Sequence, residues 1–265
     1  MGTINNIELT DKDGYPDETR EKFRAIKPVI LFGLLIARSL LCFLGQVITA
    51  GIFWLQGDPE PWMASVPYWN VFGTFADIGC ILLLIYFLRK EGCSIWDLMR
   101  VGNIPLWRDI LIGVGLFLLL FPVAIIGVTI LANVLIYGTI EPDLGTGLLT
   151  GRQLPAWALF HSLFIWWVIW SATESTFYNG YLFPRFEALT GKTWVAVAIV
   201  GFFWALQHIF FPFIPDGKYL IWRFLQFLPI GLLMPFLFAR LRRLRPLIIA
   251  HWLMDIAGVV LTIEF

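Results

Sequence analysis

The chain has 265 residues, 58% of them hydrophobic and 14% charged, with 19 basic and 19 acidic side chains; its mean hydropathy is +0.77. A soluble protein of this size cannot bury so much apolar surface, so the composition excludes a soluble globular domain and indicates an integral membrane protein. The balanced charge argues against a nucleic-acid-binding protein. Cys42, Cys80 and Cys93 show no CxxC spacing, and we expect them to be free thiols.

The first elements in chain order are a polar tail and a series of apolar segments. Residues 1–27 are polar and lack the apolar core of a cleavable signal peptide, so we expect a cytoplasmic tail there. A bilayer-spanning helix needs about 20 apolar residues. Residues 28–265 contain seven such stretches, which predicts one membrane-embedded domain: an all-α, polytopic transmembrane helical bundle of about seven spans. The stretches cover roughly 28–56, 68–88, 107–137, 155–183, 194–212, 219–239 and 246–264.

Basic residues flank these spans at alternate ends. They precede the first span, separate the second from the third, follow the fourth, and separate the sixth from the seventh, whereas the opposite loops carry Asp58, Glu60, Glu141 and Asp143. The positive-inside rule then places the N-terminus in the cytoplasm and the C-terminus on the other side. In a bacterium, the membrane would be the cell membrane. The mixed segment SIWDLMRVGNI, between spans two and three, is expected to lie along the cytoplasmic interface.

Ionisable residues at membrane depth are rare and mark functional sites, and six of them are candidates here. At 1.5 Å per residue, four of them lie about 15 Å from the cytoplasmic ends of their helices, which predicts a shared polar cavity open to the cytoplasm. His251 lies at about 9 Å, and His208 at about 24 Å unless its helix is tilted or begins later. Arg38 and Asp77 are expected to form a structural ion pair. The six residues are Arg38, Asp77, Glu174, His208, His251 and Asp255.

Three short motifs contain the last four of these residues. ESTFYNGYL begins at Glu174, WALQH ends at His208, and HWLMD runs from His251 to Asp255. In this order they resemble the CPBP intramembrane protease family, which includes CAAX-processing endopeptidases and bacteriocin-processing or immunity proteins. The family motifs are Glu-Glu-x-x-x-Arg, Phe-x-x-x-His and His-x-x-x-Asn or Asp. The resemblance covers about residues 155–258.

The sequence departs from these family motifs at three positions. Ser175 replaces the second motif glutamate, Asn179 replaces the motif arginine, and Trp204 replaces the phenylalanine. Losing both charges of a Glu–Arg pair is more tolerable than losing one, because no unpaired charge remains. Residues four apart share one face of an α-helix, so Ser175 and Asn179 can still exchange a hydrogen bond.

The resemblance implies roles for the motif residues. It assigns activation of a water molecule to Glu174 with His208, and stabilisation of the oxyanion to His251 and the Asp255 position. A carboxylate cannot donate a hydrogen bond, so Asp255 is expected to orient His251 or to help bind a metal. The resemblance also suggests a divalent metal, zinc, with Glu174, His208 and His251 as ligands, although their spacing is not that of a His-Glu-x-x-His site.

Three functional hypotheses follow. The leading one is an intramembrane metalloendopeptidase that hydrolyses a peptide bond in a hydrophobic or prenylated, CAAX-type peptide, with that substrate and the lipid bilayer as partners. Ser175 and Asn179 motivate a second: a catalytically weakened family member that acts by binding, as a bacteriocin immunity protein or a membrane chaperone. The third is a small transporter that uses the same buried charges, although the sequence shows no repeat pairs or broken helices.

Overall fold

The computed structural model describes residue 23 and residues 26–99, 104–142 and 154–262, and these residues form eight helices of five residues or more. This confirms the all-α class. Nearly all of the predicted tail, residues 1–27, lies outside the described residues. The helices are α1 (Pro28–Leu55), α2 (Pro61–Lys90), α3 (Ile95–Met99), α4 (Leu106–Tyr137), α5 (Ala156–Thr190), α6 (Thr193–Phe210), α7 (Gly217–Leu241) and α8 (Leu244–Thr262).

Six of these helices, α1, α2, α4, α5, α6 and α7, are long and apolar enough to cross a membrane. The chain is therefore an integral, multi-pass membrane protein. The seventh predicted span coincides with α8, which is not among these six, so the count of seven spans remains a prediction. The orientation derived from the basic loops also remains one. The short helix α3 lies in the segment that is expected to follow the cytoplasmic interface.

Local sequence signals explain where several helices begin and end. Pro28 and Pro61 stand at the first positions of α1 and α2, where the missing backbone N–H costs no helical hydrogen bond. The side chain of Asp216 caps α7 by accepting a hydrogen bond from the backbone of Tyr219 at 2.7 Å. Gly191 ends α5 with a φ of 65°, a left-handed conformation that favours glycine.

Two long helices contain wider, π-helical turns, which the apolar pattern of the sequence did not predict. One lies in α4 at Phe121–Gly127. Two others lie in α5, at His161–Ile165 and Ser175–Leu182. A π turn shifts the side chains that follow it around the helix, and such turns are frequent at functional sites. The turn at Ser175–Leu182 directly follows Glu174, so it changes which neighbours the first motif faces.

The helices α6 and α7 pack closely because two glycines meet at their crossing. A Cβ atom added to Gly231 would lie 2.7 Å from the carbonyl oxygen of Gly201, and one added to Gly201 would meet the carbonyl of Gly231 at the same distance. Small residues allow membrane helices to approach backbone to backbone. This crossing holds the WALQH motif on α6 against the middle of α7.

Ion pairs join the helices at the end of the bundle that the basic loops predict to be cytoplasmic. Arg242 pairs with Glu187 at 2.6 Å, and Arg245 and Arg243 both pair with the buried Asp109. Arg185 pairs with Glu91. Arg185 follows the predicted fourth span, which ends near residue 183, but α5 continues to Thr190 and this side chain is 1% exposed.

Candidate active site

A buried charged cluster lies where α1, α2, α5 and α6 meet. Arg38 donates to Oδ1 of Asp77 from Nη2 at 2.6 Å and from Nε at 3.1 Å. Its Nη1 donates to Glu174 and, at 2.7 Å, to Oε1 of Gln207. All four side chains are completely buried. The expected contact between Arg38 and Asp77 is thus present, but the same guanidinium also binds Glu174.

Aromatic rings separate this charged cluster from a neighbouring cavity. The guanidinium carbon of Arg38 lies 4.1 Å from the ring centre of Trp170 and 5.4 Å from that of Phe211. The two rings contact each other at 4.6 Å, and both line the cavity. Stacking on aromatic faces stabilises a guanidinium in an apolar medium. Glu174 does not line the cavity and lies behind this aromatic wall.

The cavity has a volume of about 400 Å³ and brings together three of the four predicted catalytic residues. His208, His251 and Asp255 line it, and its remaining walls are mainly aromatic and aliphatic side chains. A largely apolar pocket with a few convergent polar groups is the usual form of a binding site for a hydrophobic ligand. The depth count had left His208 apart from the others, but the fold places it at the same cavity.

The contacts of His208 fix its protonation. Its Nδ1 lies 2.9 Å from the backbone carbonyl oxygen of Trp204, an atom that only accepts hydrogen bonds, so Nδ1 carries the proton. The lone pair of the neutral ring is then on Nε2. The imidazole stacks on Phe227 with ring centres 3.7 Å apart and an angle of 11° between the planes. His208 is therefore held rigidly with a basic nitrogen available.

His251 is held between two neighbours, one on α5 and one on its own helix. Its Nδ1 lies 3.1 Å from the hydroxyl of Ser175, and its Nε2 lies 3.6 Å from Oδ2 of Asp255, four residues further along α8. The hydroxyl of Ser171 donates to the same Asp255 oxygen at 2.5 Å. Such outer contacts orient an imidazole ring and keep it in place. Trp204 connects the two histidines, with its ring 4.7 Å from His208 and 6.0 Å from His251.

The expected hydrogen bond between Ser175 and Asn179 is not formed. Both residues lie in the π-helical turn Ser175–Leu182. Ser175 faces His251 instead. Neither polar side-chain atom of Asn179 has a hydrogen-bond partner among the described residues, although the side chain is completely buried.

The position of the cavity bears on the expected opening to the cytoplasm, which stays a prediction because the orientation does. Its lining comes mostly from the first halves of α2, α5 and α7 and the second halves of α4, α6 and α8. These parts lie near the loops that carry few basic residues, opposite the arginine-rich end. In the orientation that the basic loops predict, the cavity therefore lies in the outer half of the bilayer. The depth count placed polar groups along each helix but did not show on which side of them a cavity lies.

The donor set does not fit the zinc site suggested by the resemblance. Of the three suggested ligands, Glu174 is bound by Arg38 and lies behind the aromatic wall, whereas His208 and His251 line the cavity. Within the described ranges, no three His, Cys, Asp or Glu side chains are close enough together to hold a metal ion. We therefore derive the chemistry of the site from the side chains of the chain itself.

Several residues of the site were not singled out from the sequence. Gln207 stands next to a motif histidine, and Arg223 and Gln226 interrupt an apolar run in α7, so a search for isolated polar residues within spans would have found them. Ser171 lies three residues before Glu174 and gave no comparable signal, because short hydroxyl side chains are common in membrane helices.

A comparison with protein-family models gives a match within the chain. Residues 155–257 match the family described as type II CAAX prenyl endopeptidase Rce1-like. The matched segment begins just before α5 and ends within α8, so it contains all three motifs. No curated protein and no solved structure matches the chain significantly. Residues 155–257 are therefore similar to the Rce1-like type II CAAX prenyl endopeptidases, which supports membership of the CPBP family.

Proposed function

We propose that the protein is an intramembrane endopeptidase that hydrolyses a peptide bond near the C-terminus of a prenylated or otherwise hydrophobic peptide. The observation that carries this proposal is the convergence of His208, His251 and Asp255 on one apolar cavity within the family-matched segment. Apolar walls suit a lipidated or aliphatic peptide, and the polar groups supply acid–base chemistry.

In the proposed reaction, His208 is the general base. Its Nε2 accepts a proton from a water molecule while the water oxygen attacks the scissile carbonyl carbon. The protonated ring then gives this proton to the leaving nitrogen as the carbon–nitrogen bond breaks, so one water is consumed and two peptides are released. With Nδ1 accepting a hydrogen bond from the Ser175 hydroxyl, His251 has its proton on Nε2 and donates it as a hydrogen bond to the developing oxyanion. Asp255, held by Ser171, keeps the ring in place.

In this scheme, Glu174 is a positioning residue. It holds Arg38, which in turn holds Gln207, the residue next to His208. The resemblance assigns to Glu174 a direct role in activating water, which would require the side chain to leave Arg38. Comparison of Glu174→Gln with His208→Ala separates the two roles. A positioning role predicts a smaller loss of kcat for Glu174→Gln than for His208→Ala, and equal losses would support the direct role.

The experiment that tests the proposed function is turnover of a quenched fluorescent prenyl-peptide by the purified protein. The wild type should cleave it, and His208→Ala should lower kcat/KM by about 10²–10⁴-fold, the usual contribution of a general base. Arg240→Gln is the matched control, because Arg240 is exposed and does not line the cavity. The proposal fails if the wild type cleaves none of a broad peptide panel, or if His208→Ala is as active as the wild type.

Zinc remains a prediction from the family resemblance. Its test is the same assay after treatment with a chelator. Loss of turnover that returns with added zinc would support a metal, and unchanged turnover would contradict it.

A second candidate function is that of a family member that binds without cleaving. The ion pair between Arg38 and Glu174 and the neutral Ser175 and Asn179 favour it, because the first motif then has no free carboxylate. The double change Ser175→Glu with Asn179→Arg discriminates the two. Turnover that is present in this variant and absent from the wild type would support the binding function.

A further inference from the structure

One arginine in the cavity differs from the other buried arginines. Arg223 lies on α7 and lines the same cavity as His208. Its Nε donates to the backbone carbonyl of His208 at 3.3 Å, its Nη2 to that of Phe211 at 2.8 Å, and its Nη1 to Oε1 of Gln226 at 3.0 Å. A guanidinium has five N–H donors, so two of them remain unused by these contacts.

The charge of Arg223 is not balanced by an acid. Among the described arginines that are buried or partly buried, every other one pairs with a carboxylate, and Arg223 alone does not. The paired arginines are Arg38, Arg185, Arg242, Arg243 and Arg245. An unpaired cation in an apolar, membrane-embedded site is costly. The cavity therefore presents a cation with unused donors, which suits an anionic ligand group.

The guanidinium lies beside the proposed base. Its carbon is 4.7 Å from the ring centre of Phe227, the ring on which His208 stacks at 3.7 Å. On the far side of Arg223, the amide of Gln226 donates to the hydroxyl of Thr129 on α4 at 2.9 Å, so its oxygen is directed towards the guanidinium. These contacts fix the planar fork of the arginine within the cavity and reduce the entropy lost when it binds a ligand.

We propose that Arg223 binds the C-terminal carboxylate of the peptide substrate and thereby determines specificity for a free C-terminus. This inference rests on the proposed function. Three residues span at most about 10 Å, so a scissile bond beside His208 leaves the terminal carboxylate of a released tripeptide within reach of Arg223. The aliphatic side chains of that tripeptide contact the apolar walls, and the guanidinium fork matches the two carboxylate oxygens.

The test compares two prenyl-peptides that differ only at the C-terminus, one with a free carboxylate and one with a carboxamide. Wild-type protein should cleave the acid with a kcat/KM about 10–100-fold above that of the amide, the effect of one charge-assisted contact. Arg223→Gln should abolish this preference, because its kcat/KM for the acid falls, mainly through KM, by about 10–100-fold more than its kcat/KM for the amide. Arg223→Lys should retain part of the preference, and Arg240→Gln all of it.

Two outcomes would overturn the inference. One is equal cleavage of the acid and the amide by the wild type. This result does not depend on whether any variant folds. The other is an equal loss for both peptides in Arg223→Gln, which would mean that Arg223 only supports the carbonyls of His208 and Phe211. If Arg223 instead binds a lipid phosphate, the wild type should also cleave the acid and the amide equally. Added phosphatidylglycerol would then raise the thermal stability of the wild type more than that of Arg223→Gln.

A binding measurement separates this inference from the proposed function. The tripeptide Val-Leu-Ser and its carboxamide are titrated against the wild type and Arg223→Gln by calorimetry. If the acid binds the wild type more tightly than the amide does, and Arg223→Gln loses this difference, the result supports the carboxylate site. This holds even if neither prenyl-peptide is cleaved, and in that case only the proposed function fails. Equal binding of acid and amide contradicts the carboxylate site even if cleavage occurs.

Discussion

The guanidinium of Arg38 contacts two carboxylates, those of Asp77 and Glu174. The charge balance of this cluster determines which substitutions the protein tolerates. With both Asp77 and Glu174 ionised, the cluster carries one excess negative charge in a completely buried position. Oδ2 of Asp77 and Oε1 of Glu174 have no hydrogen-bond partner among the described residues. Removing the cation therefore harms the cluster more than removing either acid.

The first prediction follows from this balance. Arg38→Met should destabilise the protein by about 3–5 kcal/mol, the cost of breaking a buried ion pair, because two unpaired carboxylates remain. Glu174→Gln leaves a neutral pair of Arg38 and Asp77 and should cost far less. Thermal unfolding in detergent measures both variants. A Glu174→Gln protein as unstable as Arg38→Met would contradict this account of the cluster.

The second prediction concerns Asp255. An asparagine there retains an oxygen that accepts from Ser171, so Asp255→Asn should keep kcat/KM within about tenfold of the wild type. Asp255→Leu removes the acceptor that orients His251 and should lower kcat/KM by up to about 100-fold. Steady-state kinetics with the prenyl-peptide distinguish the two. Equal losses in both variants would show that the reaction needs the negative charge of Asp255 and not its hydrogen bond with Ser171.

At the level of helices, the apolar pattern predicted the spans well and the internal geometry poorly. The predicted segment 107–137 differs by one residue from α4, and 194–212 differs by one or two residues from α6, because hydrophobic length follows directly from bilayer thickness. The π turn at Ser175–Leu182 was not predictable, since it depends on how α5 packs against its neighbours rather than on local composition. Within that turn, Ser175 contacts His251 and not Asn179.

The third prediction tests the contact between α6 and α7. Gly231→Ala would place a methyl group 2.7 Å from the backbone oxygen of Gly201, so the helices must separate and His208 must shift from Phe227. We expect a loss of about 1–3 kcal/mol of stability and a lower kcat. Gly115→Ala is the control, because no heavy atom lies within 4 Å of its added methyl. Equal behaviour of the two variants would contradict the tight crossing.

For the whole molecule, the sequence predicted the residues of the site but not its shape. The order of Glu174, His208, His251 and Asp255 along the chain identified the family, and the match over residues 155–257 agrees with it. The aromatic wall that separates Glu174 from the cavity involves Trp170 and Phe211, which lie in apolar runs like many other aromatic residues. Side-chain packing of this kind depends on tertiary contacts that no motif records.

The fourth prediction concerns orientation. Lys218 and Lys192 are exposed at opposite ends of the bundle, Lys218 near the cavity end and Lys192 between α5 and α6. In a Cys93→Ser background, a membrane-impermeant thiol reagent should label Lys218→Cys in intact cells and Lys192→Cys only after permeabilisation, as the positive-inside rule predicts. The reverse pattern would contradict that orientation and would place the cavity on the cytoplasmic side.

The most direct test of the central claim is product analysis of a prenyl-peptide cleaved in heavy-oxygen water. The account predicts that the wild type releases an intact C-terminal tripeptide and incorporates one heavy oxygen atom into the new carboxylate of the remaining peptide, and that His208→Ala forms neither product above background while Arg240→Gln matches the wild type. Absence of the tripeptide from the wild-type reaction, or its formation in equal yield by His208→Ala, would contradict a hydrolytic site at the His208 cavity.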